Sequence, residues 1–455
     1  MVFSSLTFLC LFLPVFLITY YALPRFRTAA LVAFSLLFYS FGEPVWVLAL
    51  LFSGTVDYFH GLIIARYRGS RLSKAALVSS LVINLGLLAA FKYSGFFIGN
   101  INALFGTAIR EPGFSLPLGI SFYTFQTLSY TIDVYRGEVR AQRSFSAFLS
   151  YVTMFPQLVA GPIVRYADVE ERLTRRRITP AGFSSGTTRF AVGMAKKVLL
   201  ANPAGEAADI LFAGSKMTFF GSWLGIVFFA FQIYFDFSGY SDMAIGLGKM
   251  IGFEFKENFR YPYAADSVTD FWRRWHISLS TFFRDYVYVP LGGNRRRQAL
   301  NLAIVWCLTG LWHGASWNFV LWGLYYGAVL LAEKFLLKNV LRRAPRVLRR
   351  VYAMFLVLAG WAIFYFTDMT ALGAFARAAF GGARLYDFRV ESVFFSNIFL
   401  LAALAIASTP YPARLASRLR ARLPVAEPVC NAALMMLCFT MLVGQTYNPF
   451  LYFRF

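Results

Sequence analysis

Runs of about 20 mostly apolar residues recur along the whole chain, and that is the length an α-helix needs to cross the hydrocarbon core of a bilayer. They fall near residues 5–24, 28–42, 44–65, 76–98, 115–133, 145–162, 186–203, 221–248, 299–313, 314–337, 351–367, 394–409 and 429–446. A soluble protein of 455 residues could not hide a composition that is 58% hydrophobic and 19% aromatic, with a mean hydropathy of +0.57. The runs also lack the polar–apolar alternation of barrel strands. The expected fold is an all-α polytopic integral membrane protein, with a single transmembrane domain over 1–455 and no separate soluble domain. The first run, MVFSSLTFLCLFLPVFLITYYALP, has no basic leader and no small-residue cleavage site, and reads as a retained span. Cys10, Cys307, Cys430 and Cys438 lie in apolar runs without metal-ligand spacing. They read as small buried hydrophobes, and no metal site is expected.

The net charge of +22 is carried mainly by short loops: RYRGSRLSK (66–74), YRGEVRAQR (135–143), RYADVEERLTRRR (165–177), RRAPRVLRR (342–350) and RLASRLRAR (414–422). Clustered Lys and Arg beside spans encode orientation, with the basic loops cytoplasmic. No nucleic-acid-reading motif accompanies them. Membrane lipids are the expected partners of this charge, and a bacterial inner membrane is the expected location. Placing every basic loop in the cytoplasm puts the N-terminus outside, but leaves residues 145–162 with basic loops on both sides. FPQLVAGPIVRY (155–166) carries two prolines and a glycine, so this stretch reads as re-entrant. Irregular backbone at membrane depth must be buried in protein or line a cavity. Residues 253–297 are too polar to span.

Three stretches carry candidate chemistry. GLWHGASW (310–317) holds His313, one of three histidines in the chain, inside an apolar run where an imidazole is costly unless paired or used. On a continuous helix Trp306, Gly310, His313 and Trp317 share a face, and Gly310 and Gly314 give room for a neighbouring helix or a substrate. Trp312, Trp317 and Asn318 are candidate substrate contacts. DFWRRWHISLSTFFRDYVYVPLGGNRRR (270–297) places Trp272, His276, Ser280 and Phe283 on one helical face. Arg273 and Arg274, with the turn Gly292-Gly293-Asn294, form a cationic rim with backbone amides that suits a phosphate-bearing ligand. A purely topogenic cluster explains the arginines equally well. Asp236 and Asp242, in QIYFDFSGYSDMAIG (232–246), read as either a site or a hydrogen-bonded helix junction. Gln126, Ser129, Tyr130 and Asp133 read as polar lining or interhelical glue, and His60 as structural.

Together these motifs, with LPLGISFYTFQTLSYTIDVYRG (116–137), FWRRWHISLSTFFRDYVYVPLGGNR (271–295) and the ending NPFLYFRF (448–455), make the chain resemble the membrane-bound O-acyltransferase family, specifically its alginate O-acetylase-like branch. The similarity covers essentially the whole chain. It implies a ring of tilted helices around a central funnel, with short and re-entrant segments. His313 matches the family's hallmark histidine and His276 its second. The resemblance implies acetyl transfer from a cytoplasmic donor, acetyl-CoA as co-substrate, with no bound cofactor. The destination is a secreted exopolysaccharide such as alginate, reached through an extracytoplasmic SGNH-type acetyl-transferring partner and polysaccharide machinery. Gln157 stands where alginate-producing relatives often carry histidine, so acetyl transfer is implied more directly than alginate itself. In this reading His313 is the general base, an imidazole whose ordinary pKa of ~6.5 suits the role. Ser316 and Asn318 are candidates to steady an oxyanion, and His276 with Arg273 and Arg274 orients the donor. The alternatives are an acyltransferase acting on another polysaccharide, a lipid or a protein, or a transporter or flippase. The last would show a repeat-related pair of broken segments, which the sequence lacks.

Overall fold

The computed structural model describes residues 1–213, 217–423, 425–444 and 450–451. Of the ending NPFLYFRF, all but Phe450 and Leu451 lies outside the described residues. Every regular element among the described residues is helical. The chain forms two compact units, one of Met1–Phe190 with Ser241–Lys256 and one of Ala191–Tyr240 with Glu257–Phe455.

The first unit contains α1 (Leu13–Ala22), α2 (Arg27–Ser40), α3 (Val47–Arg66), α4 (Arg71–Leu88), α5 (Ser94–Phe105), α6 (Ile120–Arg136), α7 (Phe145–Thr153), α8 (Phe155–Leu158) and α9 (Tyr166–Thr174). Helix α6 is its centre and is almost wholly buried, with α3 and α4 packed on it. Two of its polar side chains are satisfied locally: Ser129 donates to the Gln126 carbonyl, and the Tyr130 hydroxyl accepts from the Gln142 amide. Asp57, fully buried on α3, accepts from Ser80 Oγ at 2.6 Å and Asn84 Nδ2 at 2.8 Å. Such pairing is what makes a carboxyl tolerable among membrane helices. Residues 145–162 hold no helix long enough to span. Helix α7 has 9 residues and rises only about 14 Å. The chain then turns at Met154 and continues through irregular, fully buried backbone. The irregular stretch is enclosed by protein, the condition that such backbone must meet at membrane depth.

Helix α10 (Pro180–Ala195) begins in the first unit and ends in the second, where α11 (Asn202–Phe212) follows, and α12 (Phe219–Met250) runs back. The rest of the second unit comprises α13 (Val268–Arg274), α14 (Ile277–Phe283), α15 (Gln298–His313), α16 (Trp317–Phe335), α17 (Lys338–Arg343), α18 (Arg346–Tyr365), α19 (Met369–Ala379), α20 (Phe388–Ser396), α21 (Ile398–Ala407), α22 (Tyr411–Arg422) and α23 (Ala426–Val443). Residues 253–297 hold only short helices, as their polarity requires.

Among the described residues, five helices are long and apolar enough to cross a membrane: Val47–Arg66, Arg71–Phe105, Phe219–Met250, Arg346–Tyr365 and Ala426–Val443. Two bent pairs, Phe8–Ala22 with Pro24–Ser40 (107°) and Phe388–Ser396 with Ile398–Ala407 (57°), raise the number to as many as seven. The sequence marks more apolar runs than this, because some of them, such as those of α6 and α7, are apolar through burial within protein. The basic run 414–422, read as a loop, is part of α22, none of whose residues is buried. The cysteines depart from their reading: Cys438 is buried, whereas Cys10 and Cys430 are exposed.

Helices α15 and α16 form the tightest hairpin of the second unit, and glycine is what permits it. A Cβ on Gly310 would stand 3.1 Å from Gly323 Cα and closer still to the Phe319 carbonyl. One on Gly323 would stand 2.5 Å from the Trp306 carbonyl. Backbone opposes backbone, so no side chain can swing aside. Gly310→Leu or Gly323→Leu is therefore expected to destabilise the protein by about 1–3 kcal/mol or more, read as a lower melting temperature in detergent. Gly86→Leu, whose added Cβ meets nothing within 4 Å, is expected to melt like the parent.

Candidate active site

His276 sits in a break between two helices. Helix α13 is started by two caps: Ser267 Oγ accepts from the Asp270 amide at 3.0 Å. The Glu333 carboxylate of α16 accepts from the Val268 and Thr269 amides at 2.7 and 2.8 Å and from Thr269 Oγ1 at 2.6 Å. The helix stops at Trp275, whose backbone is extended, and His276 takes a left-handed conformation with φ 44°. Trp272, His276, Ser280 and Phe283 therefore do not share one helical face, contrary to the periodicity. The turn is held by Asn258, whose carbonyl accepts from the Ile277 amide and whose Oδ1 accepts from the Ser278 amide and Ser278 Oγ. That makes Oδ1 an acceptor for His276 Nδ1 as well, at 3.2 Å. The proton is thus assigned to Nδ1, which leaves the lone pair on Nε2. His276 is buried edge-on to Phe237 (4.7 Å between ring centroids) and Trp312 (5.8 Å).

His313 is the last residue of α15. Gly314 is extended (φ −173°, ψ 162°) and α16 starts afresh at Trp317. The face expected to run from Trp306 through His313 to Trp317 therefore ends at His313, and Trp317 is 57% exposed on the next helix. Gly314 meets the Phe319 ring closely enough to exclude a side chain. The His313 ring lies among Trp312 (5.0 Å), Trp322 (4.9 Å) and Phe364 (5.3 Å). Asn318 does not aim its amide at this ring: Nδ2 donates to the Ile363 and Phe364 carbonyls, and Oδ1 accepts from Ser316 Oγ. These two residues lock the start of α16 to the end of α18 and are not available as the oxyanion donors that their proximity suggested.

Two cavities in this unit reach the two histidines. The larger, about 990 Å³, is lined by Trp272, Arg273, His276, Ser280, Trp306 and Thr309, and by basic side chains at the end of α16 and on α17 and α18, including Lys334, Lys338, Arg342 and Arg349. His276 Nε2 and Trp272 Nε1 both have no hydrogen-bond partner among the described residues. The smaller cavity, about 20 Å³, is lined by His313 with Asp236, Phe237, Trp275, Trp322 and Phe450. Trp312 lies against both imidazoles. Asp236 is paired with Lys197 at 2.6 Å, both buried, and its Oδ2 accepts from the Leu451 amide at 2.6 Å.

The remaining sequence candidates fall elsewhere. Arg274 pairs with Asp270 at 3.0 Å and does not line the larger cavity. The amides of Gly292 and Gly293 donate to the Val289 and Tyr288 carbonyls, so the turn does not offer them to a ligand. Asn294 Oδ1 accepts from Tyr288 and Lys334 and serves to brace the turn. Asp242 belongs to the first unit, where Arg189 holds it at 2.6 Å. The pattern did not mark Asn258, Glu333 or Lys197. Of these Lys197 and Glu333, charged residues inside apolar runs, carry a local signal.

Complete burial pushes the His276 imidazole down to about 3. An unfolded histidine titrates near ~6.5, so between those values the unfolded chain binds a proton that the folded chain does not. Stability then rises with pH across that window. The melting temperature is expected to fall as pH is lowered from 7 to 5, and to fall less in His276→Gln. An equal fall in both proteins would show that another group carries the dependence.

The model of the membrane-bound O-acyltransferase family matches residues 137–375. The chain is 45% identical to the probable alginate O-acetylase AlgI of Azotobacter vinelandii, over 80% of this chain and 75% of that one. It is 38% identical to the probable alginate O-acetylase of Pseudomonas putida over the full length of both. It is 35% identical to a peptidoglycan O-acetyltransferase of Helicobacter pylori, over 72% of this chain and 70% of that one. A polytopic membrane protein built around this helical unit and so similar to O-acetylases is itself an O-acyltransferase, and the chain belongs to the membrane-bound O-acyltransferase family.

Proposed function

We propose that the protein moves acetyl groups from cytoplasmic acetyl-CoA to a secreted polysaccharide, working in a bacterial inner membrane with an extracytoplasmic acetyl-transferring partner. The observation that carries this is the pair of buried imidazoles, each lining its own cavity and each in ring contact with Trp312. The larger cavity is basic along α16–α18 and aromatic toward His276, which suits a donor with phosphates at one end and an acyl thioester at the other. Its basic residues belong to the 342–350 cluster and its neighbours, which charge bias assigns to the cytoplasm. Relatives named for alginate and for peptidoglycan both modify glycans, which supports a glycan acceptor.

In this mechanism the acyl group enters through the larger cavity with Arg273, Lys338 and Arg342 on the phosphates. His276 Nε2 and Trp272 Nε1 face the thioester end. His313 takes the proton of the acceptor hydroxyl as its oxygen attacks the thioester carbonyl. The C–S bond breaks, and the departing thiolate takes up that proton. Asp236 and Lys197 keep the His313 cavity polar on one side without placing a net charge there.

General-base catalysis contributes about 10²–10⁴ in rate. Acetyl transfer from radiolabelled acetyl-CoA is expected to drop at least a hundredfold in His313→Ala while the protein inserts and purifies normally; near-parental transfer would sink the assignment. His276→Ala is expected to lose less, partly as weaker donor binding. For the donor cavity, Lys338→Glu with Arg342→Glu is expected to raise the KM for acetyl-CoA roughly tenfold or more with kcat little changed. An unchanged KM would remove the donor from that cavity.

A further inference from the structure

A second basic cavity lies in the same unit, apart from either histidine. It encloses about 420 Å³ and is lined by Tyr261, Arg274, Arg346, Arg350, Tyr411 and Arg414, among others. The cations outnumber their counter-ions. Arg346, Arg349 and Arg350 all converge on the single carboxylate of Asp266, at 3.4, 3.5 and 3.0 Å, and Arg274 is matched by Asp270. Arg414 lies over the Tyr411 ring at 5.8 Å. Guanidinium groups gathered in excess around a cavity are suited to a phosphate group, which each can grip through two N–H bonds.

The surroundings say which kind of phosphate. The cavity lies where the spanning helix α18 begins and where α22 follows the bent pair α20–α21. Helix α22 buries none of its residues in the protein. Tyr411, Leu415 and Leu419 recur at four-residue intervals and are all exposed, as are Arg414, Arg418 and Arg422 beside them. A short helix with one apolar and one basic stripe lies in the membrane–water interface. On α18, Val347 and Val351 alternate with the cavity's Arg346 and Arg350 and are 71% and 61% exposed. Apolar tracks thus lead away from the arginines on two helices, where a soluble phosphate would have no use for them and acyl chains would.

We propose that this cavity is a head-group site for an anionic phospholipid of the cytoplasmic leaflet, with the acyl chains lying along the exposed residues of α18 and α22. Neither histidine lines this cavity. The lipid ties α22 to the start of α18 and balances the arginines that Asp266 leaves over.

Native mass spectrometry of the purified protein, titrated with phosphatidylglycerol and with phosphatidylcholine, tests this. The parent is expected to retain phosphatidylglycerol roughly tenfold or more in preference. Arg346→Glu with Arg414→Glu is expected to lose the preference. Both side chains are exposed and leave the Arg349 and Arg350 contacts to Asp266 intact, so the variant is expected to elute as a folded monodisperse species. Arg71→Glu with Lys74→Glu, an equal charge change on α4, is expected to keep the preference. A preference unchanged in the first variant, or lost equally in the second, would overturn the proposal. So would displacement of the retained lipid by millimolar coenzyme A or inorganic phosphate, which would make this a site for soluble phosphates.

Discussion

The approach of α15 to α16 at Gly310 and Gly323 is the contact on which the rest of the second unit depends. With backbone against backbone, the two helices can run side by side from Trp306 to His313 without a layer of side chains between them. The aromatic rings that would have filled that layer project to the flanks. Trp306 meets Trp272 of α13 at 4.8 Å, and His313 meets Trp322 of α16 and Phe364 of α18. The hairpin therefore fixes a wall of α13 and a wall of α18 relative to one another, and both cavities open against that frame.

The same frame explains why two histidines that both touch Trp312 line different cavities. Helix α13 is capped by Glu333, so its start is tied to α16, and its end must turn before it meets α12. His276 makes that turn with a left-handed backbone, a conformation that a non-glycine residue adopts only when its surroundings hold it. Asn258 supplies the hold. The imidazole is carried to the cavity lining with Nδ1 engaged and Nε2 without a hydrogen-bond partner among the described residues, and Trp312 lies against it and against His313.

The membrane class, the non-spanning stretches 145–162 and 253–297, and the two histidines were legible in the sequence because each rests on local composition. The breaks at Trp275–His276 and at Gly314 were not. A helical period read through WRRWHISLS and GLWHGASW continues smoothly, since aromatic residues stand on both sides of each break. The turn at His276 is held from afar, by Asn258 across 18 residues, and the start of α13 is likewise capped by Glu333 across 65. The carboxylates of α12 carry the same lesson. Asp236 and Asp242 look alike in sequence, but the first pairs with Lys197 beside the His313 cavity and the second with Arg189 in the other unit. Only their partners, 39 and 53 positions away by number, tell a cavity wall from a helix junction.

In the proposed reaction the donor lies in the larger cavity with its acyl end at His276. An experimental structure of the protein with a non-reactive acetyl-CoA analogue tests it most directly. Density is expected between α13, α15 and α16, with the phosphates beside Lys338 and Arg342 and the acyl group within hydrogen-bond reach of His276 Nε2. An analogue bound with full occupancy anywhere else, leaving that cavity to solvent or lipid, would contradict the account.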